Sequence, residues 1–153
     1  MKNLLKSAAL AAIVLAPVHA NAVTADIPFS GSVTHTCVIT VGPSGTLGVS
    51  SDFKTLSSLA TGGSAGSASV VSTGSGFDVS VTAPSSFSTS PTEDTSSTAF
   101  TASYTVNNGS SQSSASDLTN GTHAIKVNMA ATKSGSNIFE AGAYAATVVL
   151  RCE

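Results

Sequence analysis

Taken two residues at a time, the chain from residue 23 onward is a succession of alternating segments. In residues 23–34 the odd positions, Val23, Ala25, Ile27, Phe29, Gly31 and Val33, are apolar or small, and the even ones are polar except Pro28. Successive side chains of a strand point to opposite faces, so this period predicts a half-buried strand. Pro28 removes one ladder donor and predicts a bend or an exposed edge there. The same period returns in 37–41, 68–73, 77–83, 98–106, 122–131 and 143–152, the last placing Tyr144, Ala146, Val148 and Leu150 on one face. No window carries a helical stripe.

Turn chemistry punctuates these segments: Gly42-Pro43-Ser44-Gly45, Gly74-Ser75-Gly76, Asn107-Asn108-Gly109 and Asn120-Gly121. Gly74-Ser75-Gly76 predicts a hairpin joining 68–73 to 77–83. Residues 46–59 have no clean period, 60–67 form a Gly/Ser loop, and 84–97 form a polar one. Ile138 and Phe139 are expected to dip toward a core. Six or seven short strands with turns every ten or so residues predict an all-β sandwich with Greek-key-like connections.

The segment before residue 23 reads differently. Lys2 and Lys6 precede a short apolar run over 7–16, Pro17 breaks it, and Ala20-Asn21-Ala22 has a small-x-small cleavage pattern. Residues 1–22 therefore read as a signal peptide, with a cut after Ala20 as the alternative. The run is far shorter than the ~20 residues of a membrane span, so none is expected. Export is the implied route.

The remaining 131 of the 153 residues suit one domain with one core. Four bases (Lys54, Lys126, Lys133, Arg151) face eight acids, a net charge near −4, which leaves no basic stripe for nucleic acid. Serine and threonine supply 47 residues and tryptophan none, a composition suited to β-branched packing and a hydroxyl-wetted surface. Cys37 and Cys152 are the only cysteines. In an oxidising compartment they are expected to pair within the chain; free or intermolecular thiols are the alternative.

Candidate chemistry is sparse. Gly62-Gly63-Ser64-Ala65-Gly66 fits the G-x-S-x-G string of serine hydrolases, which works only on a sharp strand-to-helix turn. Here it lies in a Gly/Ser loop with no helix after it. His35 and His123 have no partner at ligand spacing, and Glu93-Asp94 is a lone acidic pair. The expectation is a protein that is not an enzyme and needs no cofactor or metal.

The stretch Ala25-Asp26-Ile27-Pro28-Phe29-Ser30-Gly31-Ser32-Val33 followed by Cys37 resembles the N-terminal extension of pilins assembled by the chaperone–usher pathway. Asn120-Gly121-Thr122 with its following strand, and Ala141-Gly142-Ala143-Tyr144 leading into a terminal strand, are also similar to that family. The resemblance implies an immunoglobulin-like sandwich over 36–153 lacking its last strand, with 23–35 as an N-terminal donor strand. Val23, Ala25, Ile27, Phe29, Gly31 and Val33 would be the donor residues. The acceptor groove would be walled by Tyr144, Ala146, Val148 and Leu150 and by a strand early in the body. The implied function is a structural subunit of a surface fimbrium supporting cell adhesion. Its partners would be identical or related subunits, a periplasmic chaperone and an outer-membrane usher, with passage through the periplasm to the cell surface. Two features depart from the family: the second cysteine is penultimate instead of early, and the penultimate aromatic is missing. The alternative is a self-complete secreted sandwich that binds carbohydrate or protein through loops 84–97 and 107–121.

Overall fold

The computed structural model describes residues 21–153, in two units that divide after Gly31. The first 20 residues of the expected signal peptide lie outside the described residues. Residues 21–31 belong to no strand and are exposed throughout. The second unit, from Ser32 to Glu153, is all-β, and no helix occurs among the described residues. None is therefore long and apolar enough to cross a membrane.

Its strands are β1 (Cys37–Val41), β2 (Gly48–Val49), β3 (Thr55–Ser57), β4 (Gly66–Ser72), β5 (Phe77–Thr82), β6 (Thr98–Val106), β7 (Ser116–Leu118), β8 (Gly121–Lys133) and β9 (Val149–Cys152). The long β8 organises one sheet. Its first half pairs with β4 and its last turn of pleat with β3, while β6 runs along its other edge. Beyond β4 lies β1, and beyond β3 lies β2. The second sheet has the order β7-β5-β9. All these pairings are antiparallel.

The sheets enclose a common core. Val70, Tyr104 and Ile125 come from the first sheet and Val79 and Leu118 from the second, all essentially buried. Tyr104 bridges them: its hydroxyl lies 2.7 Å from the Val79 carbonyl and 2.8 Å from that of Ser114, and 2.9 Å from Ser116 Oγ. A buried phenol needs such a partner, and here the partner is the facing sheet. A second cluster, Leu56, Met129, Ala131 and Phe139, continues the core toward the other end. Phe87 closes it by meeting Phe100, Tyr144 and Phe139 edge-on, with centroids 4.8, 5.0 and 6.0 Å apart.

Three sequence expectations need correction. Residues 68–73 and 77–83 are not a hairpin, because β4 and β5 belong to different sheets. The 73–76 turn carries the chain across the core, anchored by buried Ser72, whose Oγ lies 2.8 Å from the Gly74 carbonyl and 2.9 Å from that of Thr119. Alternation fixes which side of a strand is buried, not which strand it pairs with. The expected strand 143–152 is laddered only in β9; residues 144–148 hold one isolated bridge, Ala145 with Thr89. Ile138 is exposed, and only Phe139 enters the core.

The cysteines pair within the chain. Cys37 and Cys152 form a disulfide across 115 residues with a Cα separation of 6.3 Å, inside the span such a bridge requires. It joins the start of β1 to the end of β9.

Candidate functional site

Several strand edges in the body have no ladder partner, those of β1 and β9 among them. β1 pairs only with β4, and β9 pairs only with β5. The disulfide holds one end of this pair of edges together. From it opens a cleft of about 670 Å³. Ile39, Val41 and Leu47 line one side, Tyr144, Ala146, Val148 and Leu150 the other, and Ala68, Val127 and Met129 the floor. Most of these side chains also pack against the two core clusters. The floor is thus the flank of the hydrophobic core, open between two strand edges.

The four residues expected to wall an acceptor groove are all here. Along 144–150 exposure alternates, with Tyr144, Ala146, Val148 and Leu150 half-buried and Ala145, Thr147 and Val149 exposed. These seven residues are extended but laddered only from Val149 onward. At about 3.3 Å per residue they present roughly 23 Å of wall, the length of an ordinary strand.

The far end is closed by backbone packed on backbone. Thr46 and Ser64 bridge the loops 42–47 and 63–67, with Thr46 N donating to the Ser64 carbonyl at 2.9 Å. A methyl group on Gly45 would stand 2.7 Å from the Gly66 nitrogen, so these chains meet only where side chains are absent. Ser64 Oγ is spent on Thr46, 2.9 Å from its hydroxyl. The G-x-S-x-G string therefore has a structural role in this end wall.

Tyr144 is fixed by a group that composition alone did not single out. Lys133 Nζ donates to Asp94 Oδ1 at 2.5 Å and to the Ser96 carbonyl at 2.8 Å. The Tyr144 hydroxyl donates to Asp94 Oδ2 at 2.6 Å. The Lys133 and Asp94 side chains are 1 % and 2 % exposed, and the ammonium lies 5.0 Å from the centre of the Phe139 ring. Burial works to raise the Asp94 carboxyl, but the hydrogen bonds from Lys133 and Tyr144 outweigh it and hold it below its usual range. Burial and then the neighbouring Asp94 carboxylate push the Tyr144 phenol well above its ordinary value, so it stays a donor. The signal for Lys133 was present in the period. It occupies the inward phase of β8 with Ile125, Val127, Met129 and Ala131.

Asp94 is thus engaged by lysine, and loop 84–97 packs inward through Phe87 and Asp94 to brace the cleft wall. Loop 107–121 supplies β7 and a bridge from Gln112 to Tyr104. Both loops offered by the alternative reading as binding elements are therefore partly built into the body. His123 is buried, with Nε2 2.8 Å from the Thr119 carbonyl and Nδ1 3.3 Å from Asn107 Nδ2. His35 stacks on Phe77 with ring centres 4.3 Å apart, its Nε2 3.1 Å from the Ser75 carbonyl. No group of three or more metal-ligating side chains occurs among the described residues.

The expected donor residues form no strand within this chain. Val23, Ile27, Phe29 and Val33 are 91 %, 74 %, 93 % and 83 % exposed, and Ala25 and Gly31 are exposed as well. Apart from its chain neighbours, no atom comes within 4 Å of a methyl built on Gly31. Four large apolar side chains alternating along one exposed segment make an apolar face too regular for scattered surface hydrophobics. Compared with family models, curated proteins and solved structures, the chain finds no match in any of the three.

Proposed function

We propose that this protein is a structural subunit of a surface fimbrium of the chaperone–usher type, which polymerises when residues 23–33 of one copy fill the cleft of another. One observation carries the reading. The chain has an apolar cleft between two unpaired strand edges and, elsewhere, an alternating apolar segment that is exposed and unpaired.

The physics is β-augmentation. Backbone hydrogen bonds to the free edges of β1 and of 144–150 supply strength, and alternate side chains entering the cleft supply register. Burying Val23, Ile27, Phe29 and Val33 at ~1.5–3 kcal/mol each gives roughly 6–12 kcal/mol gross, before the cost of ordering the segment. Eleven residues extend to at most about 36–40 Å, enough to run the length of the cleft and leave a link between subunits. A lone copy with an open cleft would expose a strand edge and apolar floor, so a periplasmic chaperone would cover it and an outer-membrane usher would exchange it. Adhesion belongs to the fibre as a whole.

The test is assembly. The full chain should give a ladder of multimers in unboiled electrophoresis that collapses on heating. A variant lacking residues 23–28 should give none, yet should form the Cys37–Cys152 bridge and capture a synthetic peptide of residues 23–33 one to one. Polymers that survive the deletion, or a deleted body that ignores the peptide, would rule out strand donation.

A further inference from the structure

A segment able to fill a neighbour's cleft could also fill its own, which would end growth. The residues joining this segment to β1 bear on that choice. Thr34 to Thr36 continue the line of β1 along the 73–75 turn. The Thr73 hydroxyl donates to the Thr34 carbonyl at 2.6 Å and lies 2.8 Å from Thr36 N, and Thr73 N donates to the Thr36 carbonyl at 3.0 Å. His35 lies flat on Phe77, and a methyl on Gly74 would overlap its ring. Thr34 and His35 are thus held in place, and neither has a positive φ.

To enter its own cleft beside β1, the segment must fold back as a hairpin, and parity limits how. Cys37, Ile39 and Val41 share one face of β1, the first two packed on the core and Val41 exposed at the cleft. A two-residue loop at Ser32-Val33 would set Asp26 against Ile39 and Thr24 against Val41, turning every apolar side chain outward, because a one-residue slip reverses the faces. Three-residue loops restore the correct face. Three of them seat Ile27 on β1: Gly31-Ser32-Val33 sets it opposite Cys37, Ser32-Val33-Thr34 opposite Ile39, and Val33-Thr34-His35 opposite Val41. Three-residue hairpin loops end on a residue in the left-handed region. That residue would be Val33, Thr34 or His35: the first two are β-branched and the least tolerant of positive φ, and a loop ending on His35 would strip Thr34 and His35 from Thr73 and Phe77. A five-residue loop over 31–35 would strip Thr34 and His35 from Thr73 and Phe77.

We infer that the Val33-Thr34 pair and its clamp on Thr73 and Phe77 bar the segment from its own cleft and reserve it for a second copy. The inference rests on the strand-donation reading above. Thr34→Gly supplies the left-handed residue that the Ser32-Val33-Thr34 loop lacks, whereas Thr34→Ala removes the same side chain without supplying it. The full-length chains are purified from an oxidising compartment and their monomer fractions offered a fluorescent peptide of residues 23–33. Wild type should polymerise and its monomers should capture the peptide. Thr34→Gly should accumulate as a monomer with capture reduced at least tenfold, and Thr34→Ala should stay within twofold of wild type. A Thr34→Gly chain that polymerises and captures like wild type overturns the inference and leaves strand donation standing. Equal losses in both variants also overturn it, since the effect would then not come from backbone freedom. A wild-type chain that neither polymerises nor captures sinks both.

Discussion

Lys133 and Asp94 form the most consequential single pair in the body. Each is buried, and each would be costly alone: a lysine or carboxylate left unpaired in a dry interior destabilises by about 3–5 kcal/mol. The pair itself gives much less, because desolvation cancels most of its attraction. Lys133→Met and Asp94→Leu should therefore each cost about 3–5 kcal/mol in denaturant melts, while the double variant should fall close to wild type. If the double variant instead loses the sum of the singles, the two side chains act independently. The sign of the pH dependence follows from the lowered Asp94 carboxyl. Its contribution is fully present above the unfolded value of about 3.9 and is lost as pH falls through the lower folded value. Wild type should thus lose more stability than the double variant below about pH 4, and the two should run parallel from pH 5 to 7. Parallel curves at all pH values would remove Asp94 from the account. Tyr144 draws its position from the same carboxylate, so the singles should also weaken peptide capture by the cleft.

Among the elements, the stretch 144–150 was the most legible in sequence and also the most misleading. Its alternation identified Tyr144, Ala146, Val148 and Leu150 as one face, and those four line the cleft together. The same alternation suggested a full strand, yet only Val149–Cys152 is laddered. Side-chain period reports an extended backbone with one greasy side; it carries no record of whether hydrogen bonds are filled by the same chain. The β4–β5 turn failed for a related reason. Gly74-Ser75-Gly76 marks a reversal, but the partners of β4 and β5 are set by long-range packing of Val70 and Val79 on opposite sides of the core. β7 hid in a serine-rich stretch whose one core residue, Leu118, gives no period at all. At this scale the cleft wall can be tested without touching the donor segment. Ala146→Glu places a carboxylate on the inward phase, where a strand seated beside it would have to bury the charge. The body should keep its fold, since Ala146 lies at the core's open flank, and peptide capture should fall at least tenfold. Unchanged capture would mean the peptide docks elsewhere.

For the whole molecule, strand donation would give the disulfide the task of keeping the cleft in shape while no strand fills it. Cys37 and Cys152 sit at the ends of the two strands whose other edges are unpaired. On the strand-donation reading a seated strand would tie those edges along their length; in the free body the covalent bridge ties them at one point. The bridge closes a loop of more than 100 residues, and restraint of the unfolded chain by such a loop is worth about 4–5 kcal/mol in the chain-entropy model. That is comparable to the net stability of an ordinary domain. An unoccupied chain should therefore depend on the bridge far more than an occupied one does, because a seated peptide stabilises only the folded form, by mass action. Two melts with and two without reductant make the comparison. Reduction should lower the melting temperature of the free, segment-deleted body steeply, and saturating peptide of residues 23–33 should restore much of the loss. The gain from peptide should be at least as large in the reduced body as in the oxidised one. If the reduced body does not recover with peptide while the oxidised body gains from it, the bridge shapes the cleft itself, and its role is to hold the site open and not merely to hold the chain folded.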